Sequence, residues 1–314
     1  MNRVAFLFPG QGSQKVAMGQ ILAQTEPAAR DLYAEADEIL GFPLSTLCFE
    51  GPDDILTDTL NAQPAILATS MAILRVLESK SDLRPAFVAG HSLGEFTALV
   101  SAGVLSFADA LQLVRERGRL MKAAGERQPG GMAAIIGMQT EELAEICSRV
   151  REKRGQPVQI ANDNCPGQIV ISGARAALEE AMALAEEKGA RRVVPLQVSI
   201  ASHSPLMEPA ALGFEPLVTA LEVKQAATPV VGNTTARPLA DAAAVRTELV
   251  SQLTSTVRWK ESILYLQEQG VDAFIEIGPK DVLTGLMKRI DRKARRFSIQ
   301  DAEGISRLPA KGGA

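Results

Sequence analysis

Residues 90–94 read Gly-His-Ser-Leu-Gly, with the apolar run Ala86–Ala89 before them and "LGEFTALVSAG" overlapping and following. That pattern predicts a buried strand, a sharp turn at Ser92 and a helix beyond it. A hydroxyl exposed on such a turn is a candidate nucleophile, but its ordinary pKa leaves it weak without a base. The helix starting at the turn would aim its first N–H groups at whatever stands above the serine. The Leu93 N–H is therefore the expected oxyanion donor.

The chain holds two histidines, His91 and His203. His91 adjoins the serine, and neighbours at a tight turn point apart. His203, in "VSIASHSPLM", is the expected base, against the alternative of a structural histidine entering a helix at Ser204-Pro205. Chain order Ser, Asp/Glu, His would place an acid between the two. Asp163 in "ANDNCPG" is the nearest acid to a strand-end turn. With no better acid in reach, the expected orienting group for the histidine is a carbonyl.

A charge on an apolar stripe raises a second question. In "FADALQLVRERGRLM", at about 100° per residue, Arg117 falls within about 60° of Ala110, Leu113, Val114, Leu120 and Met121. Arg115 and Arg119 fall about 160° away. An arginine facing the core keeps its charge and needs an anion. Two readings stand: an ion pair with a carboxylate of the protein, or a substrate carboxylate held bidentate in a cleft.

"FPGQGSQ", residues 8–14, follows the first apolar run. A dinucleotide loop would place a third glycine at position 15, which is Lys15, so the cofactor reading fails. Gln11, between glycines at a strand end, is expected to lean its amide over the serine. No cofactor or metal is implied. Cys48, Cys147 and Cys165 form no CxxC pair and read as reduced, buried packing residues of a cytosol-like compartment.

The elements needed to position these groups follow an α/β order. Strands are expected at Val4–Phe8, 86–89, 229–232, 273–278 and, as an edge, 295–299; helices at 28–40, 64–79 (opening on Pro64), 107–123, from Pro205, 242–254, 258–269 and 280–290. After a Gly/Pro-bearing linker at 124–131 comes strand–helix–strand–strand–helix–strand, a ferredoxin-like unit. The expected organisation is an α/β-hydrolase-like large domain over 1–126 and 198–299, an inserted ferredoxin-like domain over 127–197, and a flexible tail from 300 to 314. A ligand cleft belongs between the two domains. The net charge of −4 argues against general nucleic-acid binding. The N-terminal apolar stretch is too short for a signal peptide, and no run approaches a membrane span of about 18 residues. The reading is a soluble, cytoplasmic chain, plausibly a monomer.

"FPGQGSQ", "AGHSLGEF", the Arg-Gly pair at 117–118, "SHSPLM", "VRW" and "EIGP" occur in that order. Together, over roughly residues 1–290, they resemble the malonyl-CoA:acyl-carrier-protein transacylases of type II fatty acid synthesis. The resemblance implies Ser92 as the acylated nucleophile, His203 as its base and Arg117 as the clamp for malonate. It implies Gln11 and the Leu93 N–H as oxyanion hole and the main-chain carbonyl of Gln252 as the group orienting His203. Gln63, Asn164 and Ser202 match secondary pocket positions. The serine at 202 leaves room for one more methyl, worth only about 1–3 kcal/mol in an apolar pocket, so leaky rejection of methylmalonyl is expected. The implied partners are malonyl-CoA and an acidic acyl carrier protein. A local basic patch of Arg191, Arg192, Arg119 and Lys122 is nominated for the carrier, against a plain solvated charge cluster. Rival readings are an acyltransferase serving a polyketide assembly line and a serine hydrolase or thioesterase.

Overall fold

The structure, a computed structural model, describes residues 3–198 and 200–308. Val4–Phe8 is buried at every position and forms β1, as a continuous apolar run should in a sheet covered on both faces. Five helices follow: α1 (Gln20–Thr25), α2 (Pro27–Leu40), α3 (Leu44–Glu50), α4 (Asp53–Thr57) and α5 (Thr59–Lys80). Next come β2 (Phe87–Gly90), α6 (Gly94–Ser101) and α7 (Phe107–Arg127). The middle of the chain is β3 (Gly130–Ile136), α8 (Thr140–Arg154), β4 (Val158–Cys165), β5 (Gln168–Ala174), α9 (Arg175–Glu187) and β6 (Arg192–Pro195). A 3-10 turn at Pro205–Met207 leads into α10 (Glu208–Ala220). The rest is β7 (Val230–Val231), α11 (Ala242–Ser251), α12 (Trp259–Glu268), β8 (Ala273–Ile277), α13 (Val282–Ile290), β9 (Arg295–Ile299) and α14 (Ala302–Ser306).

The strands form two sheets. One is parallel throughout, in the order β7-β2-β1-β8-β9, with Phe6 opposite Val88 and Ile275. The other is antiparallel, in the order β4-β5-β3-β6. That second order, with the βαββαβ sequence, is the ferredoxin-like arrangement expected from the residues. The two sheets are also joined: Val257 donates to Ala161 at 2.8 Å and accepts from Asp163 at 3.0 Å, extending β4 toward the large unit.

Several boundaries depart from expectation for physical reasons. Helix α5 begins at Thr59, where Asp58 caps the Leu60 N–H at 3.0 Å, so Pro64 lies inside the helix instead of opening it. A proline there costs about 3 kcal/mol. Complete burial of Ile66, Leu67 and Ile73 outweighs that, at about 1.5–3 kcal/mol each. Helix α5 is also long and apolar enough to cross a membrane, contrary to expectation, yet 83% of its 18-residue apolar window is buried within the protein. The stretch 124–131 is no linker: α7 runs to Arg127 and β3 starts at Gly130. The tail expected from 300 is helical over Ala302–Ser306, capped by Asp301 and anchored by buried Ile305, while 309–314 lie outside the described residues. All three cysteines are buried, as their packing role requires, and burial pushes the Cys48 and Cys147 thiols up to about 12.

Candidate active site

Strand β2 ends at Gly90 and α6 begins at Gly94, so Ser92 sits on the bend with φ of 50°. The flanking glycines are there for space. A Cβ on Gly90 would lie 2.0 Å from the Gly94 carbonyl, and one on Gly94 would lie 2.0 Å from the Phe8 oxygen of β1. No side chain fits at either place. The left-handed serine is held by Asn233, which accepts from the Ser92 N–H at 2.7 Å and donates to the Gly90 carbonyl at 2.7 Å.

His203 faces the serine, with 2.8 Å between Nε2 and Ser92 Oγ. Its Nδ1 lies 2.7 Å from the main-chain oxygen of Gln252, which can only accept. The proton therefore belongs on Nδ1, and Nε2 presents its lone pair to the serine hydroxyl. Burial, and then the positive charge of Arg117, depress the imidazole pKa to about 3, so the ring stays neutral. Asp163 is elsewhere, in an ion pair with Lys260 at 2.8 Å. His91 turns away from the serine, with Nε2 2.8 Å from Asn164 Oδ1 and its ring against Trp259.

Arg117 is 2% exposed on α7. Its neighbour Gly118 allows the approach, since a Cβ there would stand 2.6 Å from the Thr59 oxygen of α5. Nη1 donates to Gln63 Oε1 at 2.8 Å, and Nη2 to Gln252 Oε1 at 2.7 Å and to Ser92 Oγ at 3.3 Å. Its Nε–H has no partner. Among the described residues no carboxylate forms an ion pair with it. A buried acid is linked to it through an amide: the Gln252 Nε2 donates to Glu95, whose pKa burial raises well above the usual carboxylate range, as well as to the Ser92 carbonyl. Burial lowers the arginine pKa to about 10, and the Glu95 carboxyl opposes that shift. The guanidinium stays charged at neutral pH.

These groups open on a cleft of about 690 Å³ between the two sheets. Gln11, Ser92, Leu93, Arg117 and His203 line one side, with Met132 and Asn162 from the small sheet on the other. Ser202 also lines it. The Leu93 N–H, at the start of α6, donates to no described group. Gln11 does not lean its side chain over the serine: Nε2 donates to Thr59 Oγ1 at 3.1 Å, leaving the unengaged backbone N–H of Gln11 as the group it can offer. Gln63 and Asn164, unlike Gln11, are not in the pocket wall. Each stands behind a wall residue, supporting Arg117 and His91 respectively.

Two of the four nominated basic residues are paired with acids, and one of these, Lys122, lines the cleft. Arg119 pairs with Glu116 at 2.8 Å, and Lys122 with Asp58 at 2.6 Å. Arg192 is opposite Ile136, at the far end of β6 from the cleft-lining Leu196. A basic groove of about 540 Å³ also exists beside the β4–β5 turn, lined by Pro166, Lys288, Arg289, Arg292 and Arg296. Pro166 is two residues from Asn164, which holds His91, so this groove adjoins the back of the elbow. Arg191 packs beside Gly137, which donates to the Gly167 oxygen at 3.0 Å.

Two residues escaped the sequence reading. Asn233 lies just past β7 at the C-terminal edge of the parallel sheet, where ligand sites gather, and that placement was its only signal. Glu95 is a fully buried acid three residues after the serine, on an otherwise uncharged helix. The assembled groups can deprotonate a hydroxyl, stabilise an oxyanion and hold a carboxylate beside the reacting atom.

Residues 5–306 match the family model described as the acyl transferase domain. The malonyl CoA-acyl carrier protein transacylase of Bacillus subtilis is 48% identical over 305 residues, covering 97% of this chain and 96% of the relative. That of Salmonella typhimurium is 44% identical over 98% of both chains. Among solved structures, a malonyl-transacylase in complex with a holo type II PKS acyl-carrier protein superposes with a TM-score of 0.94 at 41% identity, covering 97% of this chain and 98% of that one. The acyl-carrier-protein-S-malonyltransferase of Bartonella henselae gives 0.92 at 43% identity, covering 97% of both.

Proposed function

The chain belongs to the acyl transferase domain family, and on that premise we propose that it moves malonyl from coenzyme A to the phosphopantetheine thiol of an acyl carrier protein through a malonyl ester on Ser92. The observation that carries this reading is Arg117: a charged guanidinium, buried, without a paired carboxylate, 3.3 Å from the serine oxygen. A charge left in that state needs a guest anion, and malonate brings one at a fixed distance from its thioester.

Ser92 Oγ attacks the thioester carbonyl as its proton passes to His203 Nε2. The negative oxygen of the tetrahedral intermediate meets the Leu93 and Gln11 backbone N–H groups. When the C–S bond breaks, His203 returns the proton to the departing coenzyme A sulfur. The carrier's thiol then repeats the sequence in reverse, giving malonyl-carrier and free Ser92. Arg117 keeps the acyl group oriented for a thiol and covers it from water, which favours transfer over hydrolysis. No cofactor enters these steps.

The carrier protein is acidic, and the groove of Lys288, Arg289, Arg292 and Arg296 is where it docks. The pathway served is fatty acid synthesis, and the enzyme works as a soluble, cytoplasmic monomer. The test is intact mass after mixing with malonyl-CoA. The wild type should gain one malonyl group, and Ser92→Ala should gain none. Coenzyme A release that continues over many turnovers without carrier protein would make the enzyme a hydrolase.

A further inference from the structure

The small sheet touches the proposed machinery at one point that its place in the cleft wall does not require. Gln159, the second residue of β4, donates through its side-chain nitrogen to the His203 carbonyl at 2.8 Å and to the Thr254 carbonyl at 2.9 Å. Both partners are oxygens that only accept, so the amide can face them in one orientation, with its two hydrogens used. His203 carries φ of 58°, a backbone state that a residue with a side chain keeps only where its surroundings enforce it. Thr254 lies in the turn that ends α11, two residues past Gln252, whose carbonyl holds the imidazole. One amide thus joins the backbone of the histidine to the backbone that orients its ring. Neighbouring bonds tie the same segments together without reaching His203: Thr256 Oγ1 donates to the Ile160 oxygen at 2.6 Å, and the Val257 N–H to Ala161 at 2.8 Å.

We propose that Gln159 is a positioning residue for the base: by holding the His203 and Thr254 carbonyls together it sets where Nε2 stands relative to Ser92 Oγ. The small sheet thereby governs base geometry as well as walling the cleft. This rests on the reading of Ser92 and His203 as nucleophile and base.

Single-turnover acylation by malonyl-CoA, followed by rapid quench and intact mass, tests it. Gln159→Met keeps the length and removes the donors, and Gln159→Glu sets an acceptor against two carbonyls. Both should slow acylation about 10- to 100-fold, the scale expected for a sub-ångström displacement of a reacting group. The malonyl-CoA concentration at half-maximal rate should change by less than about twofold, with one adduct per chain at the endpoint. Thr256→Val, which cuts a tether that does not touch His203, should stay within about threefold of the wild type. Gln159 variants that acylate at the wild-type rate would overturn the proposal, as would an equal loss in Thr256→Val. Should Gln159→Glu fail to fold, Gln159→Met decides alone. Failure of the underlying reading looks different: the wild type itself would carry no adduct on Ser92.

Discussion

Replacing Arg117 by alanine should separate malonyl from acetyl transfer. The guanidinium has five N–H donors, and three contacts occupy it, to Gln63, Gln252 and Ser92, so two have no protein acceptor: the buried Nε–H and one on Nη1. Truncating one partner of a buried, hydrogen-bonded charge pair costs about 2–5 kcal/mol, or roughly 30- to 5000-fold in kcat/KM for malonyl-CoA. Acetyl-CoA brings no carboxylate, and with it the variant loses only the 3.3 Å contact to Ser92 Oγ. The malonyl-to-acetyl ratio should therefore fall by about 400-fold, near the middle of that range. The variant also strips a donor from Gln63 and Gln252, at about 1–3 kcal/mol of stability each, so rates must be scaled to active chains. The assay is stopped-flow release of coenzyme A from both thioesters, divided by the fraction of chains that carry an acyl group at the endpoint. An equal loss for the two substrates would refute the clamp and reduce Arg117 to a structural charge.

Three further outcomes follow from the same geometry. Because burial and Arg117 depress His203 to about 3, kcat/KM for acylation should stay level from pH 8 to pH 5, where an ordinary histidine would lose roughly 30-fold; a fall centred near 6.5 would contradict the buried, neutral base. Burial pushes Glu276 up to about 7 despite its bonds from the Leu283 and Thr284 N–H groups. A raised carboxyl pKa lends stability that is complete below about 4.5 and lost as pH rises through about 7, so denaturant titrations should show Glu276→Gln gaining on the wild type by about 3 kcal/mol across that window. Reversing Lys288 and Arg289 to glutamate should slow transfer to carrier protein about tenfold or more while leaving malonyl-CoA acylation within about twofold; equal effects on both half-reactions would move the docking site elsewhere.

What could be read from the residues depended on how local each signal was. Ser92 was legible because strand, glycine pair and helix are contiguous. Arg117 was legible as a core-facing charge because helical periodicity alone fixes its face, although whether its anion came from protein or substrate was not. His203 emerged because there are only two histidines to choose between. The network around them was not legible. Asn233 and Gln252 bond to Ser92 from 141 and 160 residues away, and no spacing rule spans that separation. Gln11 was placed at the right strand end, but whether its side chain or its backbone faces the serine depends on Thr59. Short helices such as α3 and α4 carry too few residues for a period to stand out. The pairing of Lys122 with Asp58 crosses 64 residues and leaves no local signal, whereas that of Arg119 with Glu116 is an ordinary helical spacing of three.

The base in this protein is steered by a peptide oxygen, and residue 252 also supplies an amide to Arg117. A substitution at 252 leaves the steering oxygen in the chain but removes an amide that reaches the guanidinium, the Ser92 carbonyl and Glu95 together. Drift at this one locus would therefore disturb the arginine and the backbone of the serine at once, while the imidazole keeps its orienting oxygen.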